Sequence, residues 1–215
     1  MKDPFQIAVL ISGSGSNMLQ LIENAWHYTV KLVISNNPEA GGLVLAQQAG
    51  IETKALSRAD YPSLAEFKSA IFESTLEAGA DLVCLAGFMM LVPEQYTKIF
   101  TGQMINIHPS LLPKFPGLDT HKRVIEGGER EHGCTVHFVD AGVDTGPIIA
   151  QAKLKVRPDS QADDLSREVL ALEHKLYPWV VNSIARGWIR PTNGQVQIEP
   201  QAKLDAAAKG FIIPR

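Results

Sequence analysis

The stretch Phe5-Gln6-Ile7-Ala8-Val9-Leu10-Ile11-Ser12-Gly13-Ser14-Gly15-Ser16-Asn17 decides the fold. Residues 5–11 read as a buried strand, with the apolar run 7–11 ended abruptly by a Ser-Gly loop. From Asn17 to residue 26 the apolar positions Met18, Leu19, Leu21, Ile22 and Ala25 recur at the spacing of one helical face. Strand, tight loop and helix repeat along the first half. A strand at 30–34 ends in the turn cluster Ser35-Asn36-Asn37-Pro38, a helix at 43–49 closes at Gly50, and a strand follows at 52–56. An amphipathic helix at 62–78 stops at Gly79, and strands follow at 81–86 and 104–107. Asp81-Leu82-Val83-Cys84-Leu85-Ala86 is apolar after its first residue, as expected of a parallel strand covered on both faces. The pattern predicts an α/β fold, an open, mostly parallel twisted sheet with helices on both faces. Strands at 134–139 and 148–156, joined by a Gly-Pro loop, add an antiparallel part in the C-terminal half. A long helix at 161–185 is expected to start from Ser160 as N-cap, with Asp163 three residues on. Residues 1–190 thus read as one domain. Residues 191–215 read as an extension packed on it or partly flexible, with an edge strand at 196–198.

Bulk properties narrow the function without fixing it. A chain of 215 residues with a hydrophobic fraction of 45% can bury a full core, and 20% charged residues is ordinary for a globular protein. The net charge is −3, and no basic block is long enough to track a nucleic-acid backbone. Neither a secretory h-region nor an apolar stretch approaching the ~20 residues of a membrane span is evident, so a cytoplasmic protein is expected. Cys84 and Cys134 sit in apolar runs fifty positions apart and read as reduced core cysteines. No spacing of ligands points to zinc, and no metal is expected.

Ligands of open α/β sheets bind outside the carboxyl ends of the strands, which points to the loops 12–17, 86–92 and 106–117. The first is a glycine loop opening a helix, where backbone N–H groups and the helix dipole favour an anion. No Gly-Lys-Ser/Thr follows, and position 18, where the dinucleotide fingerprint needs a third glycine, is Met18. The loop therefore reads either as a monophosphate cradle or as a tight turn with Ser16 as a helix cap.

The segment Asn106-Ile107-His108-Pro109-Ser110-Leu111-Leu112-Pro113 is the most informative. Side chains alternate on a strand, so Asn106 and His108 emerge on one face about 6.6 Å apart. Pro109 restricts His108 to extended geometry, and Pro113, Pro116 and Gly117 stiffen the loop after the strand. An amide donor beside an imidazole suits carbonyl addition, the amide meeting an oxyanion and the imidazole moving protons. The same pair also reads as a satisfied strand end. His27, His121, His132 and His174 read as solvated or helix-terminal, and His137, alternating with Cys134, Val136 and Phe138, as a structural neighbour of the site.

The run 106–113, taken with Asp144 in the downstream Asp144-Thr145-Gly146-Pro147, resembles the folate-dependent formyltransferase family over about residues 5–190. Within that family the loop Gly13-Ser14-Gly15-Ser16-Asn17, the pieces Ala86-Gly87-Phe88-Met89 and Glu173-His174, and Tyr177-Pro178 look like the members that formylate glycinamide ribonucleotide. Members acting on a tRNA carry a further β-barrel, and those hydrolysing formyltetrahydrofolate an N-terminal regulatory domain. A chain of 215 residues is read as having room for neither. The resemblance implies a one-carbon transferase of de novo purine synthesis with 10-formyltetrahydrofolate as donor co-substrate and a Rossmann-like fold. Its partners would be small molecules, with a homodimer allowed and neither nucleic acid nor membrane. His108 would be the general acid/base, Asn106 would bind the formyl oxygen, and Asp144 would orient His108 and raise its pKa. Gly15, Ser16, Asn17 and Glu173 would bind the ribonucleotide. Met89, Met90, Leu91, Val92, Asn106, Asp140, Ala141, Gly142, Val143 and Asp144 would meet the folate. The family often has a basic residue where this chain has Met90, and an arginine near Leu64, so contacts to the folate tail differ here. A formyltetrahydrofolate hydrolase, a sugar-nucleotide formyltransferase and a non-catalytic nucleotide-binding module are the alternatives.

Overall fold

A computed structural model describes residues 4–192 and 194–214. The expectations for Met1, Lys2 and Asp3, and for Asn193 and Arg215 in the C-terminal extension, lie outside those residues. Seven strands form one sheet: β1 (Phe5–Ile11), β2 (Tyr28–Ser35), β3 (Glu52–Ala55), β4 (Leu82–Leu85), β5 (Met104–His108), β6 (Glu131–Phe138) and β7 (Ile148–Lys155). Their order is β3-β2-β1-β4-β5-β6-β7. The β1–β2, β1–β4 and β2–β3 pairs are parallel and β6–β7 antiparallel, so the sheet is mostly parallel as the alternation predicts. The described residues fall into two compact units, with the boundary between Ile105 and Asn106.

The first unit shows why an unbroken apolar run makes a parallel strand. Residues 7–11 of β1 are fully buried, as are Val33 and Ile34 of β2, so no position needs a polar side chain. Helices α1 (Ser16–Glu23), α2 (Gly41–Gln48), α3 (Leu64–Glu77) and α4 (Glu94–Ile99) connect these strands. Ser63 caps α3: its hydroxyl accepts from Glu66 N at 3.1 Å and donates to the Glu66 carboxylate at 3.0 Å. Phe67, Ile71 and Phe72 turn from α3 into the core, where Phe72 stacks on Tyr96 with ring centroids 5.0 Å apart. Cys84 is a buried thiol outside any disulfide, as is Cys134 in the second unit.

The second unit holds α5 (Thr120–Glu126), α6 (Ala162–Ala185), the hairpin β8 (Ile189–Thr192) and β9 (Gln195–Ile198), and α7 (Pro200–Ala208). Two expectations need correction. Ser160 does not cap α6: its hydroxyl accepts from Arg157 N at 3.1 Å, and Gln161 takes the cap position without a side-chain bond. Asp163 and Asp164 in the first turn complement the helix dipole instead. The strand expected at 196–198 exists as β9, but it pairs with β8 in a separate two-stranded sheet. The chain then returns to the large sheet, where Ile212 bridges Gln151 of β7. Trp179 of α6 pins this return by donating from Nε1 to Asp205 Oδ2 at 2.7 Å and packing on Phe211 at 5.3 Å. Among the described residues no helix is long and apolar enough to cross a membrane.

Candidate active site

In the first unit, β1 ends where the chain must turn at once into α1. Gly15 makes this possible with φ +76°, and a Cβ there would lie 2.6 Å from Gly42 Cα. Gly42 N donates to Gly13 O at 3.1 Å, tying the loop to the start of α2. Ser12 holds it from the other side. Its N–H donates to Gly87 O at 3.1 Å, and its hydroxyl accepts from Met89 N at 2.8 Å. Residues 12–17 with Ala86, Gly87 and Met89 line a cavity of about 220 Å³. Among the described residues no lysine or arginine lines it, and no acidic residue occupies the first turn of α1. Any anion held there is held by N–H groups, hydroxyls and the helix dipole. Gly15 rather than Ser16 is the cap residue, which removes the reading of Ser16 as a cap. Beyond the loop Met89 and Leu91 are 70% and 63% exposed, while Met90 and Val92 are half-buried. Exposed apolar side chains on a loop are suited to the face of a flat heterocycle. Leu64, at the start of α3, is also exposed.

In the second unit four side chains form a chain of contacts. Asn106 and His108 are alternate residues of β5. Asp144 Oδ2 lies 3.3 Å from His108 Nδ1, and its Oδ1 3.7 Å from His137 Nε2. His137 Nε2 is in turn 3.3 Å from Asn106 Nδ2. His137, on β6, thus links the amide to the carboxylate. Its Nδ1 lies 2.8 Å from Phe138 O, which only accepts, so Nδ1 donates there, while Nε2 faces both the Asn106 amide and the Asp144 carboxylate. That orients Asn106 and leaves its second N–H unspent.

Backbone from residues 115–117 completes the frame. His108 Nε2 lies 3.0 Å from Phe115 O, and Gly117 N donates to Asp144 Oδ2 at 2.8 Å. Phe115 and Asp144, the two residues whose groups contact His108, both have φ +55°, as does Asp119 at the cap of α5, a conformation costly for non-glycine residues. Arg123 of α5 donates to Pro116 O at 2.6 Å and lies 5.4 Å from the Phe115 ring, fixing this segment. The loop after β6 shapes itself. Asp140 Oδ1 accepts from Gly142 N at 3.0 Å and from the Thr145 hydroxyl at 2.7 Å, while Ala141, Gly142 and Val143 are exposed. Asp140 therefore spends its carboxylate on the loop that presents Asp144.

Burial, the largest influence on His108, pushes its pKa below the ordinary histidine value; the Phe115 carbonyl and the Asp144 carboxylate pull it back up without prevailing. The expected net rise is corrected: Asp144 acts in the expected direction, but desolvation outweighs it. Burial pushes Asp144 up, yet His137, the Gly117 N–H and His108 together hold it below the usual carboxylate value. Both partners of His108 are acceptors, so contact with both favours the imidazolium while burial opposes it. The result is a ring ready to give up a proton.

Glu173 is buried on α6, and after burial it is the next cause of the raised Cys134 thiol pKa. His27 is exposed as expected, but His132 is not: it is 1% exposed, with its Nε2 3.0 Å from His121 Nδ1. Its place in a covered strand overrides the polarity of the side chain. Burial, then His121, depress His132 to about 4. Among the described residues no group of three or more His, Cys, Asp or Glu side chains is disposed to hold a metal ion.

Known proteins resemble the chain over most of its length. The chain is 43% identical over 188 residues to the trifunctional purine biosynthetic protein adenosine-3 of Drosophila melanogaster, a match covering 85% of this chain but only 14% of that protein. It is 40% identical over 188 residues to the phosphoribosylglycinamide formyltransferase of Escherichia coli (strain K12), covering 86% and 89% of the two chains. Its fold superposes on glycinamide ribonucleotide transformylase 1 from Symbiobacterium toebii with a TM-score of 0.87 and 41% identity, covering 93% of this chain and 96% of that one. The family model described as formyl transferase matches residues 5–181, and the chain belongs to that family.

Proposed function

We propose that this chain transfers the formyl group of 10-formyltetrahydrofolate to the amine of glycinamide ribonucleotide, in de novo purine synthesis in the cytoplasm. The observation that carries the proposal is the contact chain Asn106–His137–Asp144–His108, with a carboxylate 3.3 Å from a buried imidazole and an amide oriented beside it. The names of full-length relatives supply the substrate.

Each residue then has a task. Asn106 gives its unspent N–H to the formyl oxygen as negative charge gathers there, and loss of one such donor typically costs ~10²–10³ in rate. His108 moves one proton from the attacking amine to the departing folate nitrogen, so no net proton is consumed. Asp144 keeps the ring in register and stabilises its charged form. The backbone of Gly15, Ser16 and Asn17 takes the ribonucleotide phosphate, and Glu173 its ribose or amine end. Met89 to Val92 and the loop 140–144 meet the pterin through apolar side chains and backbone groups. Residues 1–190 act as one formyltransferase domain.

The test is tetrahydrofolate release, followed by absorbance with and without glycinamide ribonucleotide. Release that requires the ribonucleotide is expected. Equal release without it would make the chain a hydrolase.

A further inference from the structure

The carbonyl facing His108 and the amide holding Asp144 both belong to residues 109–117, so imidazole and carboxylate are only as well placed as that loop. From inside, the Ser110 hydroxyl donates to Lys114 O at 2.7 Å. From outside, the fully buried Thr135 of β6 donates its hydroxyl to Ser110 O at 2.6 Å and accepts from Leu112 N at 3.1 Å and Gln151 Nε2 at 2.9 Å. That is the full capacity of a hydroxyl, one donor and two acceptor sites. Gln151 Nε2 spends its other hydrogen on Leu112 O at 2.8 Å. Both backbone groups of Leu112 and the carbonyl of Ser110 are thus held by two side chains from neighbouring strands. Gln151 is itself fixed through its main chain: its N donates to Ile212 O at 2.9 Å, and Ile212 N donates to its carbonyl at 2.8 Å. β7 is last in the strand order, and Ile212 lies beyond residue 181, where the family match ends.

The geometry points to Gln151 as a positioning residue for formyl transfer: with Thr135 it clamps the loop that places His108 and Asp144, and the C-terminal segment braces the clamp through Ile212. This inference rests on the proposed roles of His108 and Asp144. A half-buried amide that merely satisfied the loop would affect stability alone. A clamp also sets the geometry of the reacting groups, and a misplacement of about 1 Å can cost about 10²-fold in rate.

The experiment uses the full chain. Gln151→Met keeps the length and removes both hydrogen bonds, and Thr135→Val does the same at the hydroxyl. Each is expected to lower kcat about ten- to hundredfold while KM for both substrates stays near wild type. Thr135→Ser, which keeps the hydroxyl, restores the rate. In the clamp variants the His108 imidazole, followed by NMR, titrates lower, because Phe115 O no longer rests against Nε2 while Asp144, His137 and Arg123 still face the ring. Ile212→Pro deletes the N–H that reaches Gln151 O, along with fixing φ at 212, and should move kcat and the titration the same way by a smaller factor. It also decides the matter if Gln151→Met fails to fold. Wild-type kcat with an unmoved titration in folded Gln151→Met, Thr135→Val or Ile212→Pro protein overturns the clamp. The titration needs no turnover, so the clamp fails or stands separately from the catalytic role of His108, which the rate of His108→Ala reports.

Discussion

Replacing Asp144 by asparagine removes a charge while keeping size and an oxygen able to accept from Gly117 N. In the folded protein that charge lies 3.3 Å from His108 Nδ1, on a side chain only 13% exposed. Two unit charges at this separation interact by about 5 kcal/mol at an effective dielectric of about 20, an upper bound. Without that charge the imidazolium loses a favourable partner and the ring titrates lower still. Burial already depresses the ring and would then be opposed chiefly by the Phe115 carbonyl. Initial rates of tetrahydrofolate formation, with both substrates saturating at pH 7, should show kcat lower by about 10³-fold; an aspartate-to-asparagine change behind a catalytic histidine costs about 10⁴-fold in the serine protease triad. KM should change little, since neither substrate is expected to bind through this carboxylate. The variant should regain rate as pH falls below neutral, where solvent supplies the proton that Asp144 no longer helps to hold. Turnover close to wild type at pH 7, or a loss confined to KM, refutes the role assigned to Asp144.

Asn106→Ala should lower kcat by about 10²–10³-fold with the ribonucleotide KM kept, measured in the same assay; a change in KM alone would mean the amide binds substrate rather than developing charge. Gly15→Ala places a Cβ 2.6 Å from Gly42 Cα at φ +76°. It should destabilise the protein by about 1–3 kcal/mol in urea unfolding and raise KM for the ribonucleotide but not the folate. Stability should also fall as pH drops from about 6.5 towards 4, because burial depresses both His121 and His132, helped by His108 at the first and by His121 and then His108 at the second, which is brought to about 4, so the unfolded chain binds protons that the folded chain refuses. Urea midpoints at pH 7 and pH 5 check this: His132→Asn should flatten the slope, and equal midpoints in the wild type would contradict it.

A feature is legible in the sequence where folding leaves its residues little chemical choice. Parallel strands covered on both faces favour apolar side chains throughout, so 7–11 and 82–86 announce themselves as unbroken apolar runs, and Gly13 to Gly15 marks the turn between strand and helix. Helices as short as α4 and α5 give too few turns for a period to show, and α7 lies where little period is visible. Alternation tells which face His137 occupies but not that Asn106 and Asp144 converge on it, because those contacts span 31 and 7 positions. The groups holding His108 and Asp144 from residues 115 and 117 are backbone atoms, on which a reading of side-chain motifs is silent. The sign of the His108 shift is illegible for a related reason: a charged partner shows in a motif, whereas the desolvation that outweighs it exists only once the chain is folded.

The central claim is that His108 moves the proton of formyl transfer. A single-turnover experiment with His108→Ala protein, saturated with glycinamide ribonucleotide and formyl-labelled folate, tests it most directly. The account predicts both ligands bound at near wild-type affinity and no labelled ribonucleotide on the wild-type timescale. Labelled product formed at the wild-type rate would contradict it.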